Sequence, residues 1–112
     1  MIEITYPEDI KLVTLARGAR SRVQAAEGAA VRDTTGRTYA SANVSLPSLT
    51  MSAASLAVAQ AVASGAQGIE AVIVIAERID ERDLSAIREA GGIGASAWLC
   101  AADGSPIDSL TL

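Results

Sequence analysis

Three hydroxyl residues at alternate positions, Ser48, Thr50 and Ser52, lead into an Ala-rich run, and three carboxylates, Asp80, Glu81 and Asp83, cluster further along. A hydroxyl becomes a nucleophile only beside a base that takes its proton, and grouped carboxylates can hold a hard cation. The chain contains no His, which removes Ser-His and Cys-His systems and any imidazole ligand or base working near neutral pH. Cys100 is the only cysteine, so neither an internal disulfide nor a thiolate cluster can form. Lys11, the only lysine, lies between Ile10 and Leu12 in a helical pattern and reads as a solvated residue. Ser52 is therefore read as a helix-start or buried hydroxyl, and Asp80, Glu81 and Asp83 as carboxylates suited to the positive end of a helix. Cys100 sits inside the apolar run "SAWLCA" and reads as an inert small hydrophobe, with Trp98 as a core or subunit contact.

The elements that must position these residues can be read in order. Pro7, Glu8 and Asp9 make a helix start, and Leu12, Ala16, Ala19 and Val23 recur at spacings of three and four, predicting a helix from Pro7 to about Ala25 with that stripe inward. "GAAVRDTTGRTYASANVS" predicts a hairpin, opened by Gly28, with its turn at Thr34 to Gly36 and with Tyr39 and Val44 buried. A second helix, capped by Ser48 or Thr50, is expected to continue to about Ser64, where Gly65 ends it. Its apolar residues cover nearly the whole circumference, so it should be buried on most sides. "AVIVIA", Ala71 to Ala76, predicts a strand covered on both faces. A third helix follows Asp80, with Leu84, Ile87 and Ala90 inward, and Gly91 and Gly92 end it. "ASAWLCAADGSPI" gives another strand, an Asp-Gly turn at Asp103 and Gly104, and a short final strand near Ile107. The expected fold is α/β, a three-layer α/β/α sandwich with a mixed sheet of four or five strands.

At 112 residues the chain fits one domain, residues 1 to 112, with no linker or repeat. Half of the residues are apolar but only 3% are aromatic and none is Phe, so the core must be built from Ala, Val, Leu and Ile, and self-association would help it. A net charge of −4 argues against general nucleic-acid binding, which needs clustered Lys and Arg. No run approaches a membrane span, and "MIEITYPEDI" is acidic rather than basic then apolar, so a cytoplasmic protein is expected. Arg supplies eight of the nine basic residues and Ala is abundant, a bias that points to a bacterium with GC-rich codons.

The hairpin "GAAVRDTTGRTYASANVS" and the helix end "AVASGA" together resemble the small tetrameric cytidine deaminases. The likeness runs from about Glu8 to Ile107. In the family, a Gly-Ala-Ala start leads to a Gly turn, a Tyr and an Asn-x-Glu step, and an Ala-Val pair then precedes a Gly at the end of the zinc-binding helix. The resemblance implies zinc held by one His or Cys at the start of that helix and by two Cys from a Pro-Cys-x-x-Cys helix start. A Glu shuttles protons between the metal-bound water and the base. On this sequence the first ligand falls at Ser52, the Glu at Ala54, and the paired Cys at residues near Glu81 and Leu84. Asn43 matches the ribose-binding Asn, Ser45 stands where the Glu follows, and no aromatic precedes Gly28.

A neutral serine is a poor zinc ligand, and a lone Glu81 cannot supply three protein ligands. The expectation is a chain with no metal and no cofactor, degenerate at Ser52 and Ala54. It would act as a homo-oligomeric scaffold, dimer or tetramer, or as a module that binds a protein partner. The alternative is a nucleotide- or anion-binding regulatory module using Asn43, Ser45, Ser48, Thr50 and Ser52, whose nearby helix amides could accept a phosphate. Against that stands a pocket filled by Met51 and Leu84. An active zinc-dependent deaminase is the least favoured reading.

Overall fold

Why the apolar runs fall where they do is clear from the sheet they build. In a computed structural model, which describes residues 2–112, strand β5 (Ile69–Ile75) is the centre of five strands and is buried at every position but one. Its neighbours are β1 (Gly28–Asp33), antiparallel, and β6 (Ser96–Cys100), parallel. Strands β2 (Thr38–Ala42) and β7 (Pro106–Thr111) close the two edges, each antiparallel to its neighbour, giving the order β2-β1-β5-β6-β7. A continuous apolar strand demands cover on both faces. Helix α1 (Pro7–Arg22) supplies it on one side, where Leu12 and Ala16 meet Ala30, Ala71, Ile73 and Ile75. Helix α2 (Ala53–Ala63) and helix α3 (Glu81–Ile87) supply it on the other, where Ala54, Ala57 and Ala61 meet Val31, Val72 and Val74. The three-layer sandwich and the mixed sheet of the sequence reading are both present.

The small side chains set how closely the layers approach. Gly28 opens β1 so near to α1 that a Cβ there would run into the Ala16 carbonyl, so the close helix-to-strand contact depends on that hydrogen. Gly91, at φ 89°, ends a π-helical turn (Arg88–Gly92) that prolongs α3, and a Cβ on it would lie 2.8 Å from the Gln67 carbonyl oxygen.

Three boundaries differ from the sequence reading. Helix α1 stops at Arg22, and Val23, expected inward, is 66% exposed because Gln24 takes φ 53° and turns the chain back toward β1. The segment expected to start the second helix is instead a second hairpin, β3 (Val44–Leu46) paired antiparallel with β4 (Leu49–Met51) around a turn at Pro47 and Ser48. Pro47 cannot donate to a helix ladder and favours a turn, and Val44, Leu46 and Thr50 suit extended backbone. The final strand is longer than expected, spanning six residues.

Two buried polar knots lie in the sheet. Asp33 is 2% exposed. Its Oδ1 accepts from the amide and hydroxyl of Thr35 at 2.9 and 2.7 Å and from the Arg37 amide at 3.0 Å, and its Oδ2 accepts from the Tyr39 hydroxyl at 2.9 Å. Burial alone would raise its pKa, but these donors outweigh it and hold the carboxyl at about 2. The guanidinium of Arg32, also buried, pairs with Asp9 at 2.9 Å and with Glu70 and stacks over the Tyr6 ring.

Candidate functional site

Helices α2 and α3 both begin at the same corner of the sheet, and their first turns meet. Ser52 is the N-cap of α2, with extended backbone at φ −66°, ψ 157°, and its Oγ accepts from the Ser55 amide at 3.0 Å. That hydroxyl donates to Oδ2 of Asp83, in the first turn of α3, at 2.9 Å. The hydroxyl of Ser55 donates to Oδ1 of the same carboxylate at 2.6 Å. One buried Asp thus accepts from two serines one helical turn apart, so both carboxylate oxygens are engaged.

Glu27, just before β1, completes the corner. Its Oε1 accepts from the Ala53 amide at 3.0 Å, placing a negative charge on the positive end of α2. Its own amide donates to Oδ1 of Asn43 at 2.9 Å. Beside this network lies a cavity of about 490 Å³ whose walls include Glu27, Ser52, Ala54, Glu77, Asp80 and Asp83. Arg78 also borders it, but its guanidinium is paired with Asp80 at 3.0 Å.

Of the residues singled out from the sequence, the structure brings Asn43, Ser52 and Ala54 to this corner. Ser45, Ser48 and Thr50 lie elsewhere. Ser45 and Thr50 are cross-strand partners in the β3–β4 hairpin, Ser48 is in its turn, and all three are exposed outside the cavity. None of the three caps α2, and the Thr50 hydroxyl bonds the Leu46 carbonyl instead. The Leu84 position expected to face Ser52 is taken by Asp83. Leu84 is buried beside it, and Met51 lines a different recess between α2 and α3, so neither of them walls the cavity.

The donor set decides what chemistry this corner supports. A catalytic zinc needs three protein ligands, usually imidazole or thiolate, and an open position. Cys100 is fully buried in the core on the α1 side of the sheet, opposite the face that carries α2 and α3. Burial and the nearby Asp103 charge push its thiol up to about 11. Among the described residues no group of three or more His, Cys, Asp or Glu is arranged to hold a metal ion. Ala54, the position that the sequence resemblance sets against a proton-shuttling Glu, has a methyl side chain and is 1% exposed. These residues do not fit a zinc-activated water. Nor do they fit a phosphate, since Glu27 already occupies the first amide of α2 and carboxylates dominate the cavity wall. That local charge weighs against an anion at this corner.

Sequence reasoning missed Glu27 and the role of Asp83. The signal was faint but present: Ser52 and Ser55 stand three residues apart, a spacing that lets both hydroxyls reach one acceptor.

The fold and corner together define a three-layer α/β/α protein whose cleft forms where two helix starts converge on a central sheet. A family description, "Cytidine deaminase-like", matches residues 5–105, and the chain belongs to that family. Solved structures agree on the fold. Cytidine deaminase from Burkholderia pseudomallei superposes with a TM-score of 0.79 at 20% identity, covering 96% of this chain and 93% of that one. Cytidine deaminase from Mycobacterium leprae gives 0.68 at 20% identity, with 96% and 94% covered. The Mycobacterium tuberculosis enzyme gives 0.64 at 20% identity, with 91% and 89% covered. A search of curated protein sequences gave no match.

Proposed function

We propose that this chain is a metal-free, catalytically inactive cytidine deaminase-like protein that works through its surface, as a homo-oligomeric scaffold or a module that binds a protein partner. One observation carries the reading: Asp83 accepts from Ser52 and Ser55, so that hydrogen bonds join the two helix starts from which zinc deaminases draw their metal ligands. A tie of neutral hydroxyls to one carboxylate holds the helices without generating a hydroxide. Ala54 in place of the proton shuttle and the absence of any His support the same conclusion. The reading also puts the protein in the cytoplasm of a bacterium, which the single cysteine and the Arg and Ala bias support. No helix among the described residues is long and apolar enough to cross a membrane.

The test is direct. Protein purified without added metal is subjected to elemental analysis, incubated with cytidine and deoxycytidine, and weighed by light scattering. The expected result is zinc far below one equivalent, no release of ammonia, and a mass above that of the monomer. Stoichiometric zinc with deamination overturns the inactive reading, and a monomer throughout the micromolar range overturns the scaffold.

A further inference from the structure

The β6–β7 end of the sheet is lightly covered, because α1 packs on β1, β2 and β5 while α2 packs on β1 and β2. On the side that carries α2 and α3, Ala97 and Leu99 of β6 lie directly opposite Leu110 and Asp108 of β7. Residues paired in this way share one face of a sheet. Ala97 is short, so a hollow of about 180 Å³ is left among its larger neighbours, and Arg78 and Ile79, from the segment between β5 and α3, complete the wall. That volume is the share of roughly six water molecules in the liquid, the scale of a small amino acid.

The wall is apolar except for two opposite charges that do not meet. Arg78 bonds Asp80 through Nε, and its two terminal nitrogens have no partner among the described residues. Oδ1 of Asp108 accepts from the Ser109 amide at 2.8 Å, while Oδ2 accepts no hydrogen bond among the described residues. No ion pair joins Arg78 to Asp108 among those residues. We propose that this hollow binds a small apolar α-amino acid as its zwitterion, with the ammonium on Asp108, the carboxylate on Arg78 and the side chain against Ile79, Leu99 and Leu110. A simple anion would meet Asp108, a simple cation would meet Arg78, and a wholly apolar molecule would strip water from both without replacing its hydrogen bonds. A zwitterion answers both charges at once. The Arg78–Asp80 pair is exposed and contributes little by itself, so the guanidinium turns to a ligand at small cost.

The test titrates the isotope-labelled chain with L-valine and follows the amide resonances by NMR. Saturable shifts centred on Leu99, Asp108 and Leu110 are expected, with half-saturation at about 1 mM or below. N-acetyl-L-valine lacks the ammonium and L-valinamide lacks the carboxylate, and each is expected to bind at least about tenfold more weakly. R78Q and D108N change exposed side chains, so the fold is retained, as circular dichroism will verify. Each is expected to raise the dissociation constant for L-valine at least about tenfold. Shifts that stay linear up to about 10 mM overturn the site, as does saturable binding that both analogues reproduce in full or that both variants leave unchanged. None of these readings depends on the oligomeric state, so their failure leaves the scaffold reading standing.

Discussion

The Ser52 hydroxyl donates to Oδ2 of Asp83 across 2.9 Å, and this bond, beside that of Ser55, ties the start of α2 to the first turn of α3 over a sequence separation of 31 residues. The carboxylate is buried and also serves Ser55, so removing it leaves two hydroxyls without an acceptor in a partly buried site. D83A is expected to cost about 2 to 4 kcal/mol of folding stability, and S52A, which also loses the helix cap, about 1 to 2 kcal/mol. Urea denaturation of S52A, D83A and the double variant checks the link. The double variant is expected to lose clearly less than the sum, and additivity within about 0.5 kcal/mol means that the two residues do not act together.

Acid should act first on Asp33. Its carboxyl titrates near 2 in the folded chain, against an ordinary value of 3.8. A depressed acid contributes stability that is complete above its unfolded value and lost as pH falls through the folded one. The chain should therefore hold its urea midpoint down to about pH 4 and lose it progressively toward about pH 2. Y39F removes the only donor to Oδ2 among the hydrogen bonds of this knot, moving the carboxyl back up and the onset of acid loss to higher pH. An acid limb identical in Y39F and the natural chain excludes the Asp33 knot as its source.

How far the sequence discloses this architecture depends on the range of the contact. Leu12, Ala16 and Ala19 recur at helical spacing and are all buried, and the run ending at Ile75 is the central strand, because local periodicity reports directly on which face meets the core. The start of α2 is less legible, because an Ala-rich helix has no sharp polar boundary and its helical pattern extends back over Ser48 and Thr50, whereas the cap is Ser52. Pro47, correctly weighted, marks a hairpin turn there. Asp83 has a sufficient local explanation in the first turn of a helix, and nothing nearby in the sequence announces two serines that arrive from another element. The same holds for Glu27 on the Ala53 amide. The missing His and paired Cys, by contrast, are read directly from the chain, since composition depends on no contact.

The buried guanidinium of Arg32 makes an asymmetric prediction. Its partner Asp9 is nearly as buried as the guanidinium itself, whereas the Glu70 side chain is 43% exposed and contributes little. Nη1 of Arg32 has no hydrogen-bond partner among the described residues, so the group already bears part of its desolvation uncompensated. D9A, which strands the charge, is expected to cost about 3 to 5 kcal/mol, while the paired replacement D9L/R32M costs much less or even stabilises. Thermal or urea unfolding of the two variants decides it. A paired variant as unstable as D9A shows that packing around Tyr6, rather than charge, sets the stability here.

Cys100 offers a check on the rigidity of the layer beneath α1. The thiol is fully buried against Leu12 and Ala16 in the α1-side core, and its pKa is held at about 11 by burial and by the charge of Asp103. The thiolate is the reactive species, so at pH 8 a chromogenic disulfide reagent meets a group that is both protonated and out of reach. Labelling should then proceed only as fast as the chain opens, and the full single equivalent should appear at once in denaturant. A substitution that loosens this layer without unfolding it, such as G28A with its forced contact on the Ala16 carbonyl, should accelerate labelling well before any loss of helical signal. Rapid reaction of the natural chain under native conditions contradicts the burial, and with it the close seating of α1 on the sheet.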